Sequence, residues 1–366
     1  MRVLHVISDE NIGGAGVLLC TLLRHFDRDR VESFVALPRG SALCERIEAM
    51  NFPILALDHP CDRLSLASVR EISSIIRKEK IELVHANAAL CARIAAKRCG
   101  VPVVHTRHCC FAPTRWQKML GVCNRALSDC VIATADAAAE NLLLLGIPRE
   151  RIETVINGSE PIREVGEDEL LSLRARYSIQ PDDFVIGIVA RLEDCKGHDT
   201  LLRAAKLLLR RDPHYRFLIV GDGSRRLELE AMAEELGVGE RVIFTGFVRD
   251  MAPIYRLLRV NVNCSRGTET SCLALSEGMS AGVPTVVSDY GGNAAMIGES
   301  DAGIVYPVDD ALALADAIRS IASDPWREQR MRQAAHARYL ECYTPARMTD
   351  RVTQIYTRVI QEKGSP

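Results

Sequence analysis

Short aliphatic runs separated by helix-length segments restrict the fold of this chain more than any other feature. Arg2–Ser8, Val31–Leu37, Pro53–Leu57, Leu83–Ala86, Val101–His105 and Cys130–Ala133 read as strands. Ala15–Phe26, Ser41–Met50, Leu66–Lys80, Ala88–Cys99, Arg115–Leu127 and Asp136–Leu145 lie between or after them with helical apolar spacing. Strands that are apolar on both faces need helices on both faces, and one helix per strand favours parallel pairing. The prediction is a doubly wound α/β sheet. A second series follows, Phe184–Ala190, Tyr215–Val220, Arg241–Phe244, Val260–Cys264, Pro284–Ser288 and Asp301–Val308. At 366 residues the chain then divides into two domains.

Asn157-Gly158 is a turn signal, followed by Ser159, Glu160 and the stiff Pro161, and it marks the passage between the halves. The net charge of −2 gives no case for nucleic-acid binding. The thirteen cysteines are scattered without a Cys-x-x-Cys pair, which suits small buried residues in a reducing cytosol better than disulfides or zinc. MRVLHVIS reads as a first strand and not a signal peptide, and no apolar run approaches the ~20 residues of a membrane span. A cytoplasmic protein is expected. The segment Arg115–Leu127 carries Arg115, Lys118 and Arg125 beside Trp116, Met119, Leu120 and Cys123. Such a helix can lie on an anionic inner membrane face, although an ordinary sheet-packing helix is the more economical account.

The chemistry concentrates in NCSRGTETSCLALSEGMSAGVPTVVSDYGG, Asn263 to Gly292. A strand empties into a polar loop, a helix begins near Cys272, and a second strand ends at Gly291-Gly292. In such β/α units the ligand crevice lies at the C-terminal ends of the strands, and a helix N-terminus there suits a phosphate. Glu269 and Glu277 are eight positions apart. Beside a diphosphate two carboxylates would repel it, so their use is to accept hydrogen bonds from hydroxyls, one on each side of the phosphates. Arg191 and Lys196 sit on the strand-to-helix loop RLEDCKG, where two fixed cations can hold a diphosphate. Gly13-Gly14, just before the first helix, lets backbone approach a ligand closely or makes a simple turn.

Glu-x7-Glu with Gly-Val-Pro and Gly-Gly, preceded by Arg-x4-Lys-Gly, resembles glycosyltransferase family 4, the retaining nucleotide-sugar transferases. The resemblance implies the GT-B fold: two Rossmann-like, doubly wound domains facing each other across a cleft. It implies an N-terminal acceptor-side domain, 1–160, with a C-terminal helix, 345–366, packing back on it. Residues 161–344 would form the nucleotide-sugar-binding domain. In the resemblance Glu277 accepts the ribose hydroxyls, Arg191 and Lys196 grip the diphosphate, and Glu269 with the backbone of Thr270, Ser271, Cys272 and Leu273 holds the sugar. The backbone around Val248 meets the base, with uridine expected and guanosine or adenosine open. Gly13 and Gly14 face the phosphates. A histidine beyond the fifth strand contacts the sugar; His108 is preferred over His105, a strand-interior residue more easily accommodated in the core. His85 and Asn87 either shape the acceptor side or cap structure.

No cofactor or metal is implied; the co-substrate is a nucleoside diphosphate sugar and the acceptor a glycan or a lipid-linked hydroxyl. The chain departs from the family pattern at Thr270-Ser271-Cys272, where Gly, a large apolar residue and Gly or Pro are usual. Ser271 is expected to cap the helix, and the departure bears on the identity of the sugar. A nucleotide-sugar epimerase of the same fold needs an acid and base pair that the first domain does not offer. A non-catalytic nucleotide-sugar-binding protein would not need Glu269. A pyridoxal phosphate phosphorylase is disfavoured, because Lys196 already has a phosphate role and no second lysine sits in the key loop.

Overall fold

The computed structural model describes residues 1–9, 13–87, 89–107, 125–267 and 271–364. The chain divides into two compact units, Met1–Ser159 with Pro345–Pro366, and Glu160–Thr344.

In the first unit the strands are β1 (Arg2–Ile7), β2 (Glu32–Pro38), β3 (Ile54–Leu57), β4 (Leu83–Asn87), β5 (Val103–Arg107), β6 (Cys130–Ala133) and β7 (Ile152–Thr154). They form a parallel sheet in the order β3-β2-β1-β4-β5-β6-β7. Strand order reverses between β1 and β4, which is where an open sheet of this kind leaves a crevice. Alternate β1 side chains go to opposite faces: Leu4 and Val6 join one cluster, while Val3 joins another. The tail helix Pro345–Gly364 covers that second face. Its Met348, Val352, Ile355, Tyr356 and Val359 recur at helical spacing and bury against Val3, Leu18, Leu22, Leu83 and Val104. Glu153 on β7 fixes the helix from outside, with Arg351 Nη2 and Arg358 Nη1 each 2.6 Å from its carboxylate.

The second unit has β8 (Phe184–Val189), β9 (Tyr215–Val220), β10 (Val242–Gly246), β11 (Val260–Asn263), β12 (Thr285–Ser288) and β13 (Gly303–Tyr306). Their order is β10-β9-β8-β11-β12-β13, parallel throughout. Ile186, Ile188, Phe217 and Ile219 pack under the His198–Leu209 and Ala311–Ala322 helices, whereas Val185, Leu218 and Val220 face Ile254, Tyr255 and Leu257. Burial on both faces is the reason these strands read as continuous apolar runs. Among the described residues no helix is long and apolar enough to cross a membrane. Of the proposed membrane-facing segment Arg115–Leu127, residues 115–124 lie outside the described residues.

Candidate functional site

The reversal of strand order in the second unit falls between β8 and β11, and both of its loops carry charged groups singled out above. After β8 the chain passes the exposed Arg191, makes a 3-10 turn over Asp194–Lys196, and enters the His198–Leu209 helix through Gly197. Gly197 has φ +64°, and a Cβ there would lie 2.1 Å from the carbonyl oxygen of Cys264. Only glycine permits this contact, which sets the Lys196 turn directly on the end of β11. Behind Arg191, a Cβ on Gly221 (φ +135°) would lie 2.1 Å from the Ala190 oxygen, so the loop after β9 backs the same turn.

The loop after β11 is tied down twice. Asn263 Oδ1 accepts from the Ser265 amide at 2.8 Å, and Ser288 Oγ donates to the Ser265 oxygen at 2.6 Å. Asn293, fully buried after Gly291-Gly292, donates to Ser288 Oγ at 3.1 Å and reaches Asn263 Oδ1 at 3.4 Å. The Gly-Gly pair therefore delivers a structural asparagine beneath the loop, which the sequence reading did not foresee. On the other side the Arg266 amide donates to the Cys195 oxygen at 2.9 Å. Glu269 and Thr270 lie outside the described residues.

The Leu273–Ser280 helix starts one residue later than a Ser271 cap requires. Cys272, at φ −79° and ψ 108°, takes the N-cap position without a side-chain cap bond. Ser271 is thus not the cap, and the first backbone N–H groups of the helix are left to other acceptors. Glu277 lies two turns in. Tyr255, wholly buried, donates its hydroxyl to Glu277 Oε2 at 2.9 Å. Burial pushes the Glu277 carboxyl above its usual range, and the Tyr255 bond opposes that rise. Asn261 anchors the same turn by donating to the Ala274 oxygen at 2.9 Å. Val248, beyond β10, turns its side chain into the core cluster of Ile254 and Tyr255, next to the exposed Phe247.

Charge around the Lys196 turn is dense. Asp199, nearly buried, is pushed up by desolvation, but hydrogen bonding to Arg266 and the charges of Arg266 and Arg203 outweigh that and hold it below the usual carboxylate range. His198 is fully buried, and desolvation with the nearby Arg225 lowers its pKa to about 4. It is neutral at physiological pH.

In the first unit Gly13 and Gly14 are exposed at the N-terminus of the Gly14–His25 helix, beside the β1/β4 reversal. Neither has a positive φ. Asp9 faces Gly13, whose Cβ would lie 3.9 Å from its Oδ2, and burial raises its carboxyl pKa. His85 stands on β4. It is buried, with Nδ1 2.5 Å from the Tyr356 hydroxyl and Nε2 2.6 Å from Thr106 Oγ1, so it belongs to the joint between the sheet and the tail helix. Asn87 is buried as well. His105 is half-buried within β5, and His108 lies outside the described residues.

Two parallel sheets, each with its order reversal at a loop rim, are the architecture of the GT-B fold, and the second carries a charged rim. The family description Glycosyltransferase Family 4 matches residues 12–161, and Glycosyl transferases group 1 matches residues 172–338. The chain belongs to this glycosyltransferase family. It is 27% identical over 318 residues to EpsD of Bacillus subtilis (strain 168), covering 81% of this chain and 82% of that one. It is 30% identical over 286 residues to the D-inositol 3-phosphate glycosyltransferase of Nocardia farcinica, covering 70% of this chain and 62% of the relative. The crystal structure of Anabaena Alr3699/HepE in complex with UDP superposes with a TM-score of 0.86 at 20% identity, over 98% of this chain and 100% of that one. At that identity the likeness establishes the fold.

Proposed function

We propose that the chain is a retaining, metal-independent glycosyltransferase moving a hexose or N-acetylhexosamine from a nucleoside diphosphate sugar to a hydroxyl. UDP is the expected nucleotide. The acceptor is a glycan or a lipid-linked sugar of polysaccharide or cell-envelope synthesis. The observation that carries this reading is the seating of the Lys196 turn on the end of β11 through Gly197, within the same strand-order reversal that leads to Glu277. A neighbour of the same fold holding UDP favours uridine.

In this reading Arg191 and Lys196 grip the diphosphate and absorb the charge that grows on it as the glycosidic bond breaks. Fixed donors aimed at such charge are worth several kcal/mol, roughly 3–4 per donor. These two cations take the part a divalent ion plays elsewhere, which is why no metal is invoked. Glu277 accepts the ribose hydroxyls, and the Tyr255 bond keeps its second oxygen oriented for them. The backbone at Cys272 and Leu273, with Ser271, Thr270 and Glu269, holds the sugar. His108 orients it, Val248 offers its backbone to the base, and Gly13 and Gly14 admit the phosphates. Reaction on one face of the sugar, with a donor phosphate oxygen taking the acceptor proton, retains the configuration.

A thermal-shift panel of nucleoside diphosphate sugars tests this on wild type and Glu277→Ala. One uridine-based donor is expected to raise the melting temperature of wild type, with little or no shift in the variant. A panel in which no activated sugar shifts the wild type defeats the proposal.

A further inference from the structure

Arg266 uses every N–H of its guanidinium, and all of the acceptors belong to other segments of the second unit. Nε donates to the Asp194 oxygen at 3.0 Å. Nη2 donates to Asp194 Oδ1 at 2.6 Å and Asp199 Oδ1 at 3.0 Å. Nη1 donates to Asp199 Oδ2 at 3.2 Å and Asp309 Oδ1 at 3.0 Å. Its backbone amide adds the bond to the Cys195 oxygen. Asp194 and Asp199 bracket Lys196 and Gly197 in sequence, Asp309 follows β13, and Arg266 itself stands three residues before Glu269. One side chain thus ties together the ends of β8, β11 and β13. Arg225, beyond β9, joins them at 3.1 Å from Asp194 Oδ1.

We propose that Arg266 is a positioning residue for the diphosphate grip: it bolts the loop after β11 to the Lys196 turn and masks the carboxylates beside it. The proposal rests on the donor-site reading given above. Two physical arguments carry it. Asp194, Asp199 and Asp309 would repel a diphosphate held next to them, and Arg203, Arg225 and Arg266 offset that charge. The planar guanidinium fork can also satisfy three carboxylates at once in a fixed geometry, which the point charge of lysine cannot. Asp199 keeps Arg203 at 3.0 Å and Arg225 at 3.5 Å when Arg266 is replaced, so it is not left buried without a cation. Arg266→Lys is therefore expected to fold.

The test compares the nucleoside diphosphate with the bare nucleoside. UDP, GDP and ADP, each against uridine, guanosine or adenosine, are titrated into the full chain as wild type, Arg266→Lys and Asp309→Asn. For whichever nucleotide the wild type binds, Arg266→Lys is expected to lose about tenfold in diphosphate affinity while the nucleoside changes by less than about twofold. Asp309→Asn removes one of the repelling charges while keeping an Oδ1 acceptor for Arg266 and Thr200, so it should shift the ratio the opposite way, towards the diphosphate, by less. It carries the test alone should the lysine variant not fold. A merely structural arginine would lower the melting temperature and leave the diphosphate-to-nucleoside ratio unchanged in both variants, which overturns the proposal. A wild type that binds none of the three diphosphates removes the donor-site reading, and this proposal with it. Binding by the wild type with unchanged ratios removes this proposal only.

Discussion

The hydroxyl of Tyr255 stands 2.9 Å from Glu277 Oε2, and the carboxylate it touches is one that burial has pushed towards the neutral form. The same hydroxyl lies 3.1 Å from the Ala274 oxygen, so it braces the helix turn as well as the side chain. Tyr255→Phe should cost about 1.5–3 kcal/mol of stability, the usual worth of a hydrogen bond to a charged group. Nucleotide-induced thermal shift should weaken along with it. A denaturant titration with and without UDP checks both parts.

The Glu277 carboxyl also predicts a pH dependence. Its folded pKa is raised, so over the window just above the ordinary carboxylate range the folded chain binds more protons than the unfolded one. Its contribution is then fully present below the unfolded pKa and is lost as pH rises through the folded pKa. Glu277→Gln removes that loss. The ligand-free variant should match wild type near about pH 4 and be the more stable of the two near about pH 8. Melting curves across pH measure the difference. The same variant should lose nucleotide binding, making the buried acid a stability cost retained for its ligand.

Gly197→Ala sets a methyl against a backbone oxygen that cannot rotate away, at a φ few other residues adopt. Strain of this kind costs about 1–3 kcal/mol before the turn shifts. The expected outcome is a folded but destabilised chain that no longer binds UDP, assessed by circular dichroism and calorimetry together.

The tail helix should be indispensable to the first unit. Ending the chain at Thr344 strips five side chains, Met348, Val352, Ile355, Tyr356 and Val359, from one core cluster. Each is worth about 1.5–3 kcal/mol of burial, and together they rival the whole net stability of a domain, about 5–15 kcal/mol. Size-exclusion chromatography should find aggregate. Tyr356→Phe is the milder form: it removes the Tyr356 hydroxyl's buried bond to His85 Nδ1 and should cost about 1–3 kcal/mol with UDP affinity intact.

Much of the fold was legible because its strands are buried on both faces. Runs such as Val185–Val189 and Phe217–Val220 leave no polar alternation that a half-exposed strand would show. The short helices Ala252–Leu257 and Asn293–Ile297 were not read, since less than two turns gives no period to detect. At the candidate site, Arg191, Lys196 and Glu277 stood out because each sits at a fixed distance from a strand end or a helix start. Tyr255 and Arg266 did not. Their partners lie 22 and 67 positions away, and neither a tyrosine in an apolar run nor an arginine in a polar loop announces a distant carboxylate. Ser271 misled because a serine before a helix is a good cap only when the backbone enters at that residue, and here it enters at Cys272.

The central claim is that Lys196 and Arg191 hold a diphosphate while Glu277 reads the adjoining ribose. Calorimetric titration of UDP into wild type, Arg191→Ala, Lys196→Ala and Glu277→Gln tests it most directly. The account predicts saturable binding to wild type and a loss of about tenfold or more in each variant. Variants that bind UDP as tightly as wild type would contradict it.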